Sequence, residues 1–279
     1  MRPLLSQQRR VSVPNVDKSQ SFITLVRVGY AARGITYMML GYLALTTGSK
    51  AEGGAKSAYD YIDQVPLGTP ILYLMAFGLL AYALFKLASG VADLQHRGHD
   101  TMGIAKRVGD IGSCVVYLTL SFAAFQFANG TRETASGNSQ EMAQSILTWQ
   151  VGDIVIGLIG SGLIAAAAMQ AKQAITAGFM DRISSRAPTW IEPLGRAGSA
   201  ARMVTFGLIG WSLIKSAWID SSTQVKGLGE ALLSLRDMGI IYAMVACGLI
   251  LFGLFSLIVS RYRIIPDFDA SGLKPRFRV

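Results

Sequence analysis

The stretch Arg27-Val-Gly-Tyr-Ala-Ala-Arg-Gly-Ile-Thr-Tyr-Met-Met-Leu-Gly41 begins basic, turns small and glycine-rich, and runs on apolar to Thr47. Lys106-Arg-Val-Gly-Asp-Ile-Gly-Ser-Cys-Val-Val-Tyr117 and Arg196-Ala-Gly-Ser-Ala-Ala-Arg-Met-Val-Thr-Phe-Gly-Leu-Ile-Gly210 are altered copies of it. One segment recurring three times at wide, similar spacing marks internal repeats. Each copy places basic residues just ahead of an apolar run, the pattern of a helix entering a bilayer from its basic side.

Around these copies lie six apolar stretches, near residues 28–48, 69–90, 108–128, 151–171, 203–219 and 238–260. Each is close to the roughly 20 residues that a helix needs to cross the hydrocarbon. Only 15% of the chain is charged and 51% is hydrophobic, against about 25% charged in a soluble domain. Thirty glycines suit helices that approach one another closely in lipid. The fifth stretch is the weakest because Lys215 interrupts its far end, where a lysine can snorkel outward beside Trp218.

The net charge of +9 is distributed by side rather than gathered on one face. The N-terminal tail, the 91–107 and 172–202 loops, the adjoining helix ends and the C-terminal tail hold 20 Lys and Arg against eight Asp and Glu. The other three loops hold six basic residues against nine acidic ones. Cytoplasmic loops carry the excess of Lys and Arg, so both termini are expected in the cytoplasm of a bacterial plasma membrane. This placement argues against nucleic acid as a partner. It favours the lipid bilayer, with anionic lipids on the cytoplasmic face.

Each far-side loop contains a short mixed segment: Ser57–Ile62, Glu141–Leu147 and Glu230–Leu235. Their spacing suits amphipathic helices lying on the membrane surface. The expected layout is a cytoplasmic arm over residues 1–25, then repeats at 26–100, 101–185 and 190–262 and a cytoplasmic tail at 263–279. Two crossings per repeat return the chain to its starting side, so the repeats are parallel and related by rotation about the membrane normal. The expected fold is an all-α membrane protein with six transmembrane helices in a pseudo-threefold arrangement.

Gly29-Tyr-Ala-Ala-Arg-Gly-Ile-Thr-Tyr37, with the later Pro66-Leu67-Gly68 turn, resembles the signature of bacterial membrane proteins containing the domain of unknown function 1206. The resemblance spans about residues 26–262 and implies three tandem two-helix units. The second copy carries Ser113 and Cys114 where the first has Arg33 and Gly34, and the third has Arg202 and Met203 there. The resemblance implies an architecture and no activity.

Arg27, Arg33, Arg107, Arg196 and Arg202 are the candidate lipid-contact or ion-pair residues, since charge near a membrane helix end either reaches headgroups or pairs internally. Asp110 and Asp93 are the internal partners available to Arg33 and Arg202. Gly29, Gly34, Gly157, Gly160, Gly162, Gly207 and Gly210 are the candidate helix-packing positions. Asp93, His96, His99 and Asp100 read either as a solvated loop or as a metal site. Cys114 and Cys247 are expected as small core-filling residues. No phosphate loop, His-Glu-x-x-His or nucleophile elbow occurs. No cofactor is expected, and the only enzyme class left open is an aspartate-based membrane enzyme. Two readings remain: a non-catalytic subunit, scaffold or lipid-organising module of a membrane complex, or a small-solute transporter or channel with a path along the pseudo-threefold axis.

Overall fold

The computed structural model describes residues 18–47, 54–93, 100–130, 138–264, 267–269 and 272–276. Among them are six long helices: α1 (Lys18–Thr47), α3 (Gly68–Val91), α4 (Thr101–Ala128), α6 (Gly152–Thr176), α7 (Ile191–Trp218) and α9 (Ile240–Tyr262). Three short ones, α2 (Ala55–Asp63), α5 (Asn138–Leu147) and α8 (Leu228–Leu233), each fall between the two long helices of one repeat. The far-side amphipathic segments are therefore helical, at nearly the expected positions.

Five of the long helices are long and apolar enough to cross a membrane, namely α3, α4, α6, α7 and α9. The helix α1 is not among them, although its 30 residues reach about 45 Å at 1.5 Å per residue. It carries Arg27, Arg33, Tyr30, Tyr37 and Tyr42, and most of these serve the interior of the bundle. Its outer faces are correspondingly few. Large apolar side chains cover the outside of the other helices, among them Phe77 and Leu84 on α3, Phe122 on α4, Leu158 on α6 and Ile240 on α9. Exposed apolar surface on this scale marks contact with lipid rather than water. The chain is a helical, multi-pass membrane protein.

Two boundaries differ from expectation. Residues 18–25 belong to α1 rather than to an arm, because Ile23 and Val26 pack into the core and nothing there breaks the helix. The helix α7 starts well before residue 203, since its first turns are held by close packing: a methyl group on Gly195 or Gly198 would collide with Phe179 or Phe252. The all-α expectation also meets an exception in the tail. There Asp267–Asp269 (β1) and Gly272–Arg276 (β2) form an antiparallel ribbon, pairing Asp267 with Arg276 and Phe268 with Pro275.

The three helical hairpins turn by the same backbone device. The carbonyls of Ile62, Ile146 and Leu232 accept from the amides of Val65, Trp149 and Leu235 at 3.2, 3.0 and 3.1 Å. The carbonyls of those residues then accept from Gly68, Gly152 and Met238 at 2.9, 3.0 and 2.8 Å. A side chain at Gly68 or Gly152 would lie 2.0 Å from the carbonyl oxygen of Ile62 or Ile146. Glycine is therefore required where the chain doubles back most tightly. Buried Tyr59 anchors α2 against Phe127 of α4, and burial pushes its phenol well above the ordinary tyrosine range.

The long helices pack in the order α4, α3, α1, α9, α7, α6. Among the described residues no comparable seam joins α4 to α6, although both belong to the second repeat. Glycines make the closest crossings. Gly34 and Gly253 meet backbone to backbone between α1 and α9, as do Gly160 and Gly210 between α6 and α7. The start of α1 and the end of α9 share one end of the bundle, where Arg263 stacks over Tyr30. At the opposite, hairpin end, Tyr242 donates to the carbonyl of Ala44 at 2.5 Å.

Candidate functional site

The helix α1 points Arg33 inward between α3 and α9. Its Nη1 donates to the Tyr82 hydroxyl and its Nη2 to Ser256 Oγ, both at 2.9 Å. The guanidinium carbon lies 4.8, 5.2 and 5.1 Å from the ring centroids of Tyr30, Tyr82 and Phe252. Only 8% of the residue is exposed. Arg33 is thus an internal group and does not snorkel to the headgroups. Each ring face attracts a cation by about 0.5–2 kcal/mol, more as water is excluded.

The carboxylates named as internal partners are placed otherwise. Asp110, 3% exposed, pairs with Lys86 of α3 at 2.8 Å. Lys86 in turn lies 5.7 Å above the Tyr82 ring. Among the described residues no carboxylate is within ion-pair distance of Arg33, Arg202 or Arg263. Arg202 instead sits over Phe252, Phe206 and Tyr37 at 4.5, 4.6 and 5.8 Å. Arg263, at the end of α9, lies 5.0 Å over Tyr30. Three further cations therefore surround Arg33, each sharing one ring with it: Lys86 through Tyr82, Arg202 through Phe252 and Arg263 through Tyr30.

The other basic candidates have different surroundings. Arg107 closes the end of α3, donating from Nε to Gly90 O at 2.8 Å and from Nη2 to Val91 O at 2.9 Å. Arg196 makes an exposed pair with Glu192 at 2.8 Å within α7, an arrangement worth a few tenths of a kcal/mol. Arg27 is exposed.

The glycines divide similarly. Gly29 meets Tyr82 and Gly78, Gly34 meets Gly253, and Gly160 and Gly210 meet each other. Gly157 makes ordinary contact with Ala217. Nothing lies near Gly162 or Gly207, so these two do not mark close crossings. Cys114 is buried where Gly34 sits in the first copy, whereas Cys247 is exposed rather than core-filling. Among the described residues no three metal-binding side chains gather; His96 and His99 lie outside the described residues.

Tyr82, Lys86, Phe252 and Ser256 escaped the sequence reading, which took its candidate charges from the first helix of each repeat. The second helices hold the missing signal. Aligning the copies places Tyr82, Ala166 and Phe252 in one position and Lys86, Gln170 and Ser256 in another. Aromatic rings face the arginines of the first and third copies, while the second copy has Ser113 opposite Ala166. That repeat lacks both the cation and the ring. Its two helices accordingly have nothing to clamp between them.

This register agrees with comparison against known proteins. A family model described as Domain of Unknown Function (DUF1206) matches residues 28–93, 108–177 and 197–263. Both edges of the three regions keep the positions above in step. The chain is 29% identical over 248 residues to "Uncharacterized protein YxxB" of Bacillus subtilis (strain 168), covering 85% of this chain and 90% of that protein. No solved structure matches it. With three matched regions that together span most of its length, the chain belongs to the DUF1206 family.

Proposed function

We propose that the chain is a non-catalytic module of a bacterial plasma membrane, a subunit or scaffold that organises anionic lipid. In this reading α1 is the sixth crossing, both termini are cytoplasmic, and the repeats follow a pseudo-threefold order. The packing order supports that symmetry. The seams α3 with α4, α6 with α7 and α9 with α1 are equivalent under it. The contacts of α2 with α4 and of α8 with α1 correspond in the same way.

The observation that carries the module reading is the filled interior. Tyr30, Tyr82, Tyr117 and Phe252 pack ring against ring or around Arg33, occupying the space that a solute path between α1, α3, α4 and α9 would need. Outside, α4 and α6 offer broad apolar faces to lipid or to another subunit.

Extraction of the full chain in mild detergent tests this reading. The module co-purifies with further subunits or with bound anionic lipid, and residues 54 and 130 label only from the outside. A lipid-free, solitary monomer, or solute uptake by vesicles carrying the chain alone, would replace it with the transport reading.

A further inference from the structure

We propose that Arg33, Arg202 and Arg263 form a binding site for a phosphate-bearing anion at the end of the bundle where α1 begins and α9 finishes. The inference deepens the module reading by giving it a ligand, and rests on it only for the membrane setting.

The charge arrangement is the starting point. Arg33, Lys86, Arg202 and Arg263 are linked through the rings of Tyr82, Phe252 and Tyr30. Against these four cations stands Asp110, which is taken up by Lys86 at 2.8 Å. Ring faces attract each cation but carry no net charge, so the mutual repulsion of the arginines remains. Buried charge is stable when it is compensated by charge of opposite sign and by hydrogen bonds. Among the described residues no carboxylate compensates the three arginines.

Unused donors point the same way. The Nε of Arg33 and the Nε of Arg202 are both buried without an acceptor. Arg263 makes no side-chain hydrogen bond or ion pair among the described residues, and both it and Arg202 are only partly buried. Exposure therefore rises from Arg33, which is buried, to Arg202 and Arg263, which are partly open to the surface. A group with several anionic oxygens matches several guanidinium forks better than a single carboxylate does. Basic pockets between membrane helices at the cytoplasmic surface take phosphate headgroups by this chemistry.

The second copy serves as an internal comparison. Its position equivalent to Arg33 and Arg202 is Ser113, and the position equivalent to Arg263 is Ala177. It lacks these cations and has Ala166 in place of the Tyr82 and Phe252 rings, while Tyr117 keeps the position of Tyr37 and Phe206. The site is thus confined to the side of the bundle where α1, α7 and α9 meet.

The test uses the full chain in phosphatidylcholine nanodiscs, as wild type and as the double variant Arg202→Gln/Arg263→Gln. One arm adds phosphatidylglycerol and counts retained lipid by native mass spectrometry. The other titrates inorganic phosphate and follows thermal unfolding. Wild type is expected to hold the anion at least about tenfold more tightly than the double variant, the scale of a lost charge-assisted hydrogen bond. Retention of phosphatidylglycerol alone identifies a lipid headgroup, and protection by inorganic phosphate identifies a free phosphate; both support the site. Binding of neither anion overturns it, and so does equal binding by the two proteins. Should the double variant not fold, Arg263→Gln alone carries the same comparison, since Arg263 lies at the end of its helix. Failure of the module reading shows as solute flux or a solitary, lipid-free monomer in phosphatidylcholine, whereas failure of the site shows only in the anion titration.

Discussion

Tyr82 and Phe252 hold the same position in the first and third repeats, and both present a ring to Arg33, at 5.2 and 5.1 Å. One arginine is therefore gripped by the second helix of its own repeat and by the second helix of the last. This links the beginning of the chain to its end, and α1 with α9 is accordingly one of the extensive seams in the bundle.

Replacing Arg33 with Gln should loosen that link. The change removes three ring contacts and orphans the Tyr82 hydroxyl and Ser256 Oγ. A charged hydrogen bond contributes about 1.5–3 kcal/mol and each ring contact about 0.5–2 kcal/mol. Relief of repulsion from the neighbouring cations offsets part of the loss. A net destabilisation of about 2–4 kcal/mol is expected, read as a lower unfolding midpoint in detergent. An unchanged midpoint would mean that the rings do not hold the guanidinium.

Glycines that look alike in sequence should respond in opposite ways to alanine. At Gly34 and Gly160 a methyl group would approach backbone oxygen at 2.8 Å, so separation of the helices is expected to cost about 1–3 kcal/mol. At Gly162 and Gly207 nothing lies nearby, and alanine should be neutral or stabilise the helix by up to about 1 kcal/mol. Thermal unfolding of the four single variants decides the matter.

These contrasts mark how far the sequence could be read. The repeats, the hairpins and the basic end were legible because each is a local pattern of charge, apolar length and turn residues. Even the wear of the second copy at Ser113 and Cys114 could be read directly. Partnership was not legible. Arg33 looked placed to reach lipid more readily than an internal partner, because which side of α1 faces the core depends on α3 and α9, each far along the chain. Asp110 seemed available to Arg33, but Lys86 on the adjoining helix takes it. Gly162 and Gly207 had the composition of packing positions, yet a small residue marks a crossing only if another helix arrives there.

The missing seam of the second repeat gives a sharper test. Gly78 faces Ala32 and Gly248 faces Ala201, with a Cβ on either glycine 3.1 or 2.6 Å from the alanine methyl. The equivalent pair in the second repeat is Gly112 with Gly162, and both are open. In a chain with Cys114 and Cys247 replaced by alanine, cysteine pairs at 32/78 and 201/248 should form disulfides on mild oxidation, once the helices part by the roughly 1 Å that brings the Cβ atoms to disulfide spacing. The pair 112/162 should remain reduced, because a disulfide needs Cβ atoms about 3.5–4.5 Å apart. Efficient linkage at 112/162 would mean that α4 and α6 close on each other in the membrane.

Lys86 and Asp110 supply the last expectation. The two lie on neighbouring helices of different repeats, and their 2.8 Å contact is a main electrostatic tie between α3 and α4. Removing one member of a buried pair costs about 3–5 kcal/mol, because the other charge stays behind in a poor solvent. Lys86→Met alone should therefore be severely destabilising, and Asp110→Asn alone should add an uncompensated cation beside Tyr82 and Arg33. The double variant Lys86→Met/Asp110→Asn removes both charges, so it should recover much of the stability lost in Lys86→Met. A double-mutant cycle on unfolding midpoints should return a coupling of about 1–3 kcal/mol. Strict additivity would show that the pair is incidental and that the apolar seam alone holds α3 to α4.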